Sequence, residues 1–145
     1  MTRLVIDASV AIKWVVSETG SLEAIRLAAA ELIAPELICA ECANILWKKV
    51  RRGELTASAA QAAAAVLEQS GIELRTMRTA IGHALQTAIS LDHPAYDSLY
   101  LALAAAEGCP FVTADETLVR KLRQAAVSGL PEVLGIAEAL SRLRP

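Results

Sequence analysis

Aromatic rings are scarce in this chain. One Phe, two Trp and two Tyr amount to 3% of the residues, too few for a platform on which single-stranded bases stack. An excess of either charge is missing too. Fourteen Lys and Arg against sixteen Asp and Glu leave a formal charge of −2, which excludes a protein-wide positive field, so any nucleic-acid site has to be local. No apolar run approaches the ~20 residues of a membrane span. The longest candidate runs from Leu99 to Ala106, and Leu4-Val5-Ile6 is broken by Asp7 before it could serve as a signal-peptide core. A cytoplasmic protein without membrane contact is therefore expected. Glycine-rich phosphate loops are absent: there is no G-x-G-x-x-G and no Walker sequence. Cysteine is limited to Cys39, Cys42 and Cys109, an odd number that fits reduced thiols better than a disulfide framework. Cys39 and Cys42 form a C-x-x-C. Zinc there would need Cys109, His83 or His93 to complete its ligands, and two small thiols packed as apolar residues on a helix is the simpler reading.

What is present is apolar material, 54% of the residues against 21% charged. That supplies a core for one domain over residues 1–145, since a chain of this size buries roughly 70% of its unfolded surface. Abundant alanine favours helices. Leu4-Val5-Ile6 predicts a buried strand feeding a helix on which Val10, Trp14 and Val15 share helical spacing. Helices are predicted from Ser21 to Glu31, from Pro35 to Arg52 with Gly53 closing it, and from Thr56 to Ser70 with Gly71 closing it; the last two form an antiparallel hairpin. Ile72 to Thr76 alternates like a strand, and helices follow over Thr79 to Leu91 and, after Pro94, over Ala95 to Glu107. Cys109 to Thr113 is a second short buried strand. Glu116 to Ala126 is helical, and Glu132 to Arg142 holds a last short strand and helix. Strands separated by helices of this length imply a parallel sheet covered on both faces, in which ligands sit beyond the carboxyl ends of the strands. Asp7 and Asp115 both fall there.

Four carboxylates interrupt apolar surroundings: Asp7, Glu41, Asp97 and Asp115. Each has an ordinary explanation alone. Asp7 and Asp115 can cap the helices that follow them, Asp97 sits where a helix start favours negative charge, and Glu41 can be a surface acid. Together the explanations fail. If the sheet gathers the four, each like-charge contact at ~4 Å costs on the order of 4 kcal/mol at an effective dielectric near 20. A hard divalent cation offsets that, and an all-oxygen set matches Mg²⁺ or Mn²⁺ better than zinc. Such an ion suits phosphodiester hydrolysis.

Asp7-Ala8-Ser9, Glu41-Cys42-Ala43-Asn44, Tyr96 to Ala104 (YDSLYLALA) and Thr113-Ala114-Asp115, in that order, resemble the four successive signatures of PIN-domain ribonucleases, specifically the VapC-type toxins of toxin–antitoxin pairs. The YDSLYLALA stretch is the most specific of the four. The resemblance implies an α/β fold, PIN-like and Rossmann-like, with three layers and a short parallel sheet flanked by helices on both faces. It implies a metal-dependent endoribonuclease with Asp7, Glu41, Asp97 and Asp115 as catalytic and metal-binding acids, Mg²⁺ or Mn²⁺ as cofactor, and Ser9, Asn44 and Thr113 in support. It also implies a homodimer and a small cognate antitoxin whose tail covers the site.

Lys48, Lys49, Arg51 and Arg52 at the end of the Glu41 helix are candidate RNA contacts, and equally a solvated face favoured by the helix dipole. Arg120, Lys121 and Arg123 gather on the helix after Asp115. His93 is a candidate general base or a helix cap. Glu116, about 100° around its helix from Asp115, reads as helix-start charge. A receiver-type aspartyl-phosphate domain would want a second acid beside Asp7 and a late-strand lysine, and neither is there. The alternative of another class is a non-catalytic PIN-like module binding RNA or protein; it would gain by losing the four-acid repulsion.

Overall fold

A computed structural model describes residues 2–143. Strand β1 (Arg3–Ile6) runs through the middle of a five-stranded sheet whose pairs are all parallel. Leu4, Val5 and Ile6 are completely buried, as a strand covered on both faces requires. On one side β1 pairs with β2 (Glu31–Pro35), which pairs with the edge strand β3 (Glu73–Arg75); on the other it pairs with β4 (Phe111–Val112), which pairs with β5 (Val133–Leu134). The chain thus winds outward from β1 through β2 and β3, then returns to start again beside β1. Right-handed crossovers in opposite directions lay their helices on opposite faces, and the β1/β4 boundary is the switch point.

The helices are α1 (Ala8–Ala11), α2 (Ser21–Arg26), α3 (Leu37–Arg51), α4 (Ala57–Glu68), α5 (Ile81–Leu91), α6 (Ala95–Glu107), α7 (Glu116–Gln124) and α8 (Ile136–Ser141). Short 3₁₀ turns follow α1 and α2 and precede α5. Helix α6 packs on β1, β2 and β4 and carries α5 on its outer side, while α3 pairs with α4. Thr56 caps α4 by accepting from the Ala59 N–H at 3.0 Å, and Gly108 ends α6 with φ 63°, as helix-ending glycines commonly do.

Two predicted boundaries moved. The helix expected to reach Glu31 stops at Arg26, because Glu31 is taken by β2, opposite Arg3, whose guanidinium it meets at 2.9 Å. Pro35 closes β2 instead of opening α3. It pairs with Arg75, and Glu36 donates its N–H to the Arg75 carbonyl at 3.0 Å. Proline at a strand end forfeits no interior ladder bond. The thiols of the C-x-x-C divide: Cys42 is buried and Cys39 exposed. Burial pushes the Cys42 thiol up to about 12, and among the described residues no three His, Cys, Asp or Glu side chains form a ready metal cluster, so the zinc reading has no support in the structure.

Candidate active site

Asp7 leaves the end of β1 at the switch point and is 7% exposed. Its carboxylate is held from both sides. Oδ1 accepts from the Ser9 N–H at 3.0 Å and from the Ser9 hydroxyl at 2.5 Å; Oδ2 accepts from the Thr113 hydroxyl at 2.6 Å. Both hydroxyl hydrogens are thereby committed to Asp7, so each oxygen is left as an acceptor. Ser9 takes the Ala114 N–H at 2.9 Å and Thr113 takes the Asp115 N–H at 3.1 Å. The β1 and β4 exits are stitched into one unit through Ser9 and Thr113. Burial raises the Asp7 pKa from an ordinary 3.8 to about 6; the Ser9 and Thr113 bonds oppose the rise, and the nearby charges of Asp97 and Glu41 add to it.

Glu41 projects from the second turn of α3. It is half-buried, and the Tyr100 hydroxyl of α6 donates to its Oε1. Desolvation raises the Glu41 pKa, the tyrosine bond opposes this, and Asp97 raises it further. Tyr100 is fully buried, its ring 5.8 Å from Phe111 of β4, and burial followed by the Glu41 contact drives its own pKa upward. The motif YDSLYLALA assigns Tyr100 no role; the signal for one is a phenolic hydroxyl amid the leucines and alanines of α6.

Asp97 lies in the first turn of α6, where the helix dipole favours a carboxylate. Its Oδ2 is 2.6 Å from His93 Nε2. His93 therefore touches one of the four acids instead of capping α6, whose cap position is Pro94. Asp115 caps α7, its Oδ1 accepting from the Leu118 N–H at 3.1 Å. It joins Asp7 through the Thr113 hydroxyl, whereas the charges that raise Asp7 are those of Asp97 and Glu41. Asn44, one turn beyond Glu41, is exposed and makes no described hydrogen bond to the acids. Glu116 is exposed in the first turn of α7.

The basic residues fall into two kinds. Lys48 and Arg52 form no ion pair among the described residues, Arg51 lies 5.4 Å over the ring of the half-exposed Trp47, and Lys49 is drawn to Glu18 at 3.5 Å and Glu54 at 3.8 Å. Arg123 is committed to the Val133 carbonyl and Glu138, at 2.8 and 2.7 Å. Lys121 reaches His93 Nδ1 at 3.0 Å.

Carboxylates and hydroxyls gathered beyond the carboxyl ends of β1 and β4 define a class: an α/β protein with an oxygen-only acidic centre at its switch point. Within that class the family is identifiable. A sequence profile of the PIN domain matches residues 4–123, and the chain belongs to the PIN domain family. Comparison with proteins of curated function returns no match. Among solved structures, PAE2754 from Pyrobaculum aerophilum superposes with a TM-score of 0.73 at 22% identity, over 98% of this chain and 89% of that one. VapC20 of Mycobacterium tuberculosis, described as a sarcin-ricin loop cleaving toxin, gives 0.61 at 17% identity over 78% and 90%. VapBC2 from Rickettsia felis, bound to a DNA fragment from its promoter, gives 0.65 at 11% identity over 92% and 98%. At these identities the likeness is one of fold.

Proposed function

We propose that this chain, as a single domain, is a metal-dependent endoribonuclease that hydrolyses RNA phosphodiester bonds and acts as the toxin of a toxin–antitoxin pair. One observation carries the reading. Asp7 feels the charges of Asp97 and Glu41 at the switch point, Asp115 follows Thr113 at the neighbouring strand exit, and each acid accepts from a separate protein donor: Ser9 with Thr113, Tyr100, His93, and the Leu118 N–H. For Glu41, Asp97 and Asp115 only one oxygen is engaged. Among the described residues, one oxygen of each of these three carboxylates has no hydrogen-bond partner and is available to a cation.

The residues fit Mg²⁺ or Mn²⁺. The donors are all carboxylate oxygens, and like charge from Asp97 adds to the burial that raises the pKa of Asp7 and of Glu41, a set that suits a hard divalent cation. Asp7, Glu41, Asp97 and Asp115 would hold it, and when bound it supplies an activated water and neutralises charge on a phosphoryl oxygen. The chain's own residues do the rest. Ser9 and Thr113 keep Asp7 ionisable despite its burial, and Tyr100 holds Glu41 in one rotamer. Lys48 and Arg52, which form no ion pair among the described residues, with Lys49 and Arg51 beside them, lie roughly 10–17 Å along α3 from Glu41 at 1.5 Å per residue and would contact phosphates flanking the scissile one.

Two partners follow. On α5, Ile81, Leu85 and Ile89 are 61%, 54% and 70% exposed. They form a stripe symmetric about Leu85, with Arg78 seven residues before it and Asp92 seven after. Antiparallel α5 helices of two copies would pack Ile81 on the partner's Ile89 and set Arg78 against the partner's Asp92, a self-complementary homodimer contact. For the antitoxin, the cleft of about 580 Å³ lined by Trp14, Ile25, Ala28 and Val66 suits an apolar helix, and a basic side chain elsewhere on the same antitoxin chain would pair with the acids in place of metal. The neighbours determined as VapBC assemblies support this partner. The deciding test is cleavage of a defined RNA by wild type, Asp7→Asn and Asp97→Asn, with Mg²⁺ and with EDTA. Folded variants without activity, and wild type silent in EDTA, are expected; cleavage by both variants would overturn the assignment.

A further inference from the structure

Each of the four acids has a holder, and the holder of Asp97 is itself held. His93 stands four residues before Asp97 but outside α6. Asp92 ends α5 in the left-handed region, φ 50° and ψ 54°, which Asp tolerates better than most residues. The reversal ties the His93 N–H to the Ala88 carbonyl at 3.1 Å and lays the imidazole against the first turn of α6. Nε2 then meets Asp97 Oδ2 at 2.6 Å. The other ring nitrogen, Nδ1, lies 3.0 Å from the Lys121 ammonium of α7, which also reaches the Asp92 carbonyl at 3.4 Å. An ammonium has only hydrogens to give. Nδ1 must therefore offer its lone pair, and the ring hydrogen sits on Nε2, where the Asp97 carboxylate accepts it.

We infer that Lys121 and His93 are positioning residues of the centre: Lys121 selects the imidazole tautomer, and the imidazole holds Oδ2 of Asp97 so that Oδ1 is presented to the ion. Hydrogen-bonded histidines that orient a ligand carboxylate act on a metal site from one step outside it. The same contact takes His93 away from general-base duty, because the nitrogen on the acidic side is already donating. It also joins two of the acids mechanically. Asp115 caps the amino end of α7 and Lys121 projects from that same helix, so a shift of α7 is felt at Asp115 directly and at Asp97 through the imidazole.

The inference rests on Asp97 being a metal ligand, and the experiment separates the two. Mn²⁺ binding to the full chain is measured calorimetrically, alongside kcat and KM for an oligoribonucleotide at saturating Mn²⁺, for wild type, Asp97→Asn, His93→Ala, His93→Gln and Lys121→Met. His93→Ala is expected to weaken Mn²⁺ binding about tenfold and to lower kcat with KM nearly unchanged, in the range found when an orienting partner of a ligand is removed. Gln, which can place an N–H near the Nε2 position, should restore most of both. In the ¹⁵N spectrum of the metal-free wild type, His93 should show the Nε2–H tautomer, and Lys121→Met should convert it to a mixture while weakening Mn²⁺ binding less than His93→Ala does. Wild-type binding and kcat in His93→Ala, no rescue by Gln, or an Nδ1–H tautomer in the wild type would overturn the relay. So would a Lys121→Met variant altered in KM alone with an unchanged His93 spectrum, since that is the behaviour of a phosphate contact. Asp97→Asn that still binds Mn²⁺ and cleaves RNA would instead overturn the ligand assignment itself.

Discussion

Asp7→Asn should stabilise the protein without metal and leave it the less stable of the two once metal is supplied. Asp7 is buried, and its pKa stands at about 6 instead of 3.8; at ~1.4 kcal/mol per pH unit the displacement corresponds to about 3 kcal/mol of unfavourable burial of the charged form. The sign follows from proton linkage. The folded state binds the proton more tightly than the unfolded one, so the stability associated with this group is whole below about pH 4, falls as pH climbs to about 6, and is flat beyond. Asparagine carries no charge to bury, but its amide nitrogen cannot accept one of the hydroxyl hydrogens that Ser9 and Thr113 now donate, a loss of about 1 kcal/mol. The net gain at pH 7 is about 2 kcal/mol. With an unfolding entropy near 0.3 kcal/mol/K for a chain of this length, Tm should rise by about 7 °C in EDTA. At pH 4 the gain should vanish. Free Mg²⁺ or Mn²⁺ at a hundred times its Kd stabilises the wild type by about 2.7 kcal/mol, which exceeds the gain, so the two melting curves should exchange order during a metal titration. Scanning calorimetry at pH 4 and pH 7 in EDTA, then across a metal series at pH 7, reads every part of this. A variant that melts below wild type in EDTA at pH 7, or a difference that does not change between the two pH values, would refute the reasoning.

Tyr100→Phe keeps the buried ring beside Phe111 and removes the hydroxyl that Glu41 accepts from. Because that bond opposes the upward shift of Glu41, the acid limb of the pH–rate profile should move to higher pH, activity at pH 7 should fall about tenfold or more, and the protein should lose about 1–2 kcal/mol on calorimetry. Leu85→Glu, placing a charge on the exposed α5 stripe, should yield monomers in light scattering at concentrations where the wild type is a dimer; an unchanged mass would remove α5 from the interface. Replacing the antitoxin's site-directed Arg or Lys by Ala should weaken inhibition about thirty-fold or more while the apolar helix still binds, as truncating one member of a buried charge pair does; equal inhibition would show that the acids are not its target.

How far the site was legible depended on whether a side chain's partner lay close in sequence or across the fold. Asp7 and Asp115 stood out because short buried strands deliver both, and a parallel sheet puts strand ends on one side. Ser9 lies within two residues of the acid it serves. Tyr100 and His93 were harder for a physical reason: Tyr100 meets Glu41 only because α6 docks against β1, β2 and β4, and Lys121 reaches His93 only when α7 folds back over the α5–α6 turn. Charge counting along α7 could not separate Arg123, spent on Glu138 and a carbonyl, from Lys121 two residues away. Strand pairing overrode local preference in the same manner at Glu31, where a helical pattern was cut short by the pull of Arg3. Asn44 shows the converse. It has the right spacing on α3, yet it is exposed and makes no described bond to the acids.

The bond from Thr113 to Asp7 spans 106 residues, and that separation sets when the centre can exist. The central strand β1 is made well before β4, the strand that completes its far side. At ~5–20 residues per second of synthesis, Asp7 waits about 5–20 s for its hydroxyl partner. During that interval β1 has its β2 neighbour but no β4, and the acid at its end is without half of its support. A ribosome that stalls before β4, or a protease that removes the stretch from Phe111 onward, releases a chain with three of the four acids and no assembled centre. The bonds that hold Asp7 are therefore completed late, and together with the β1–β4 pairing.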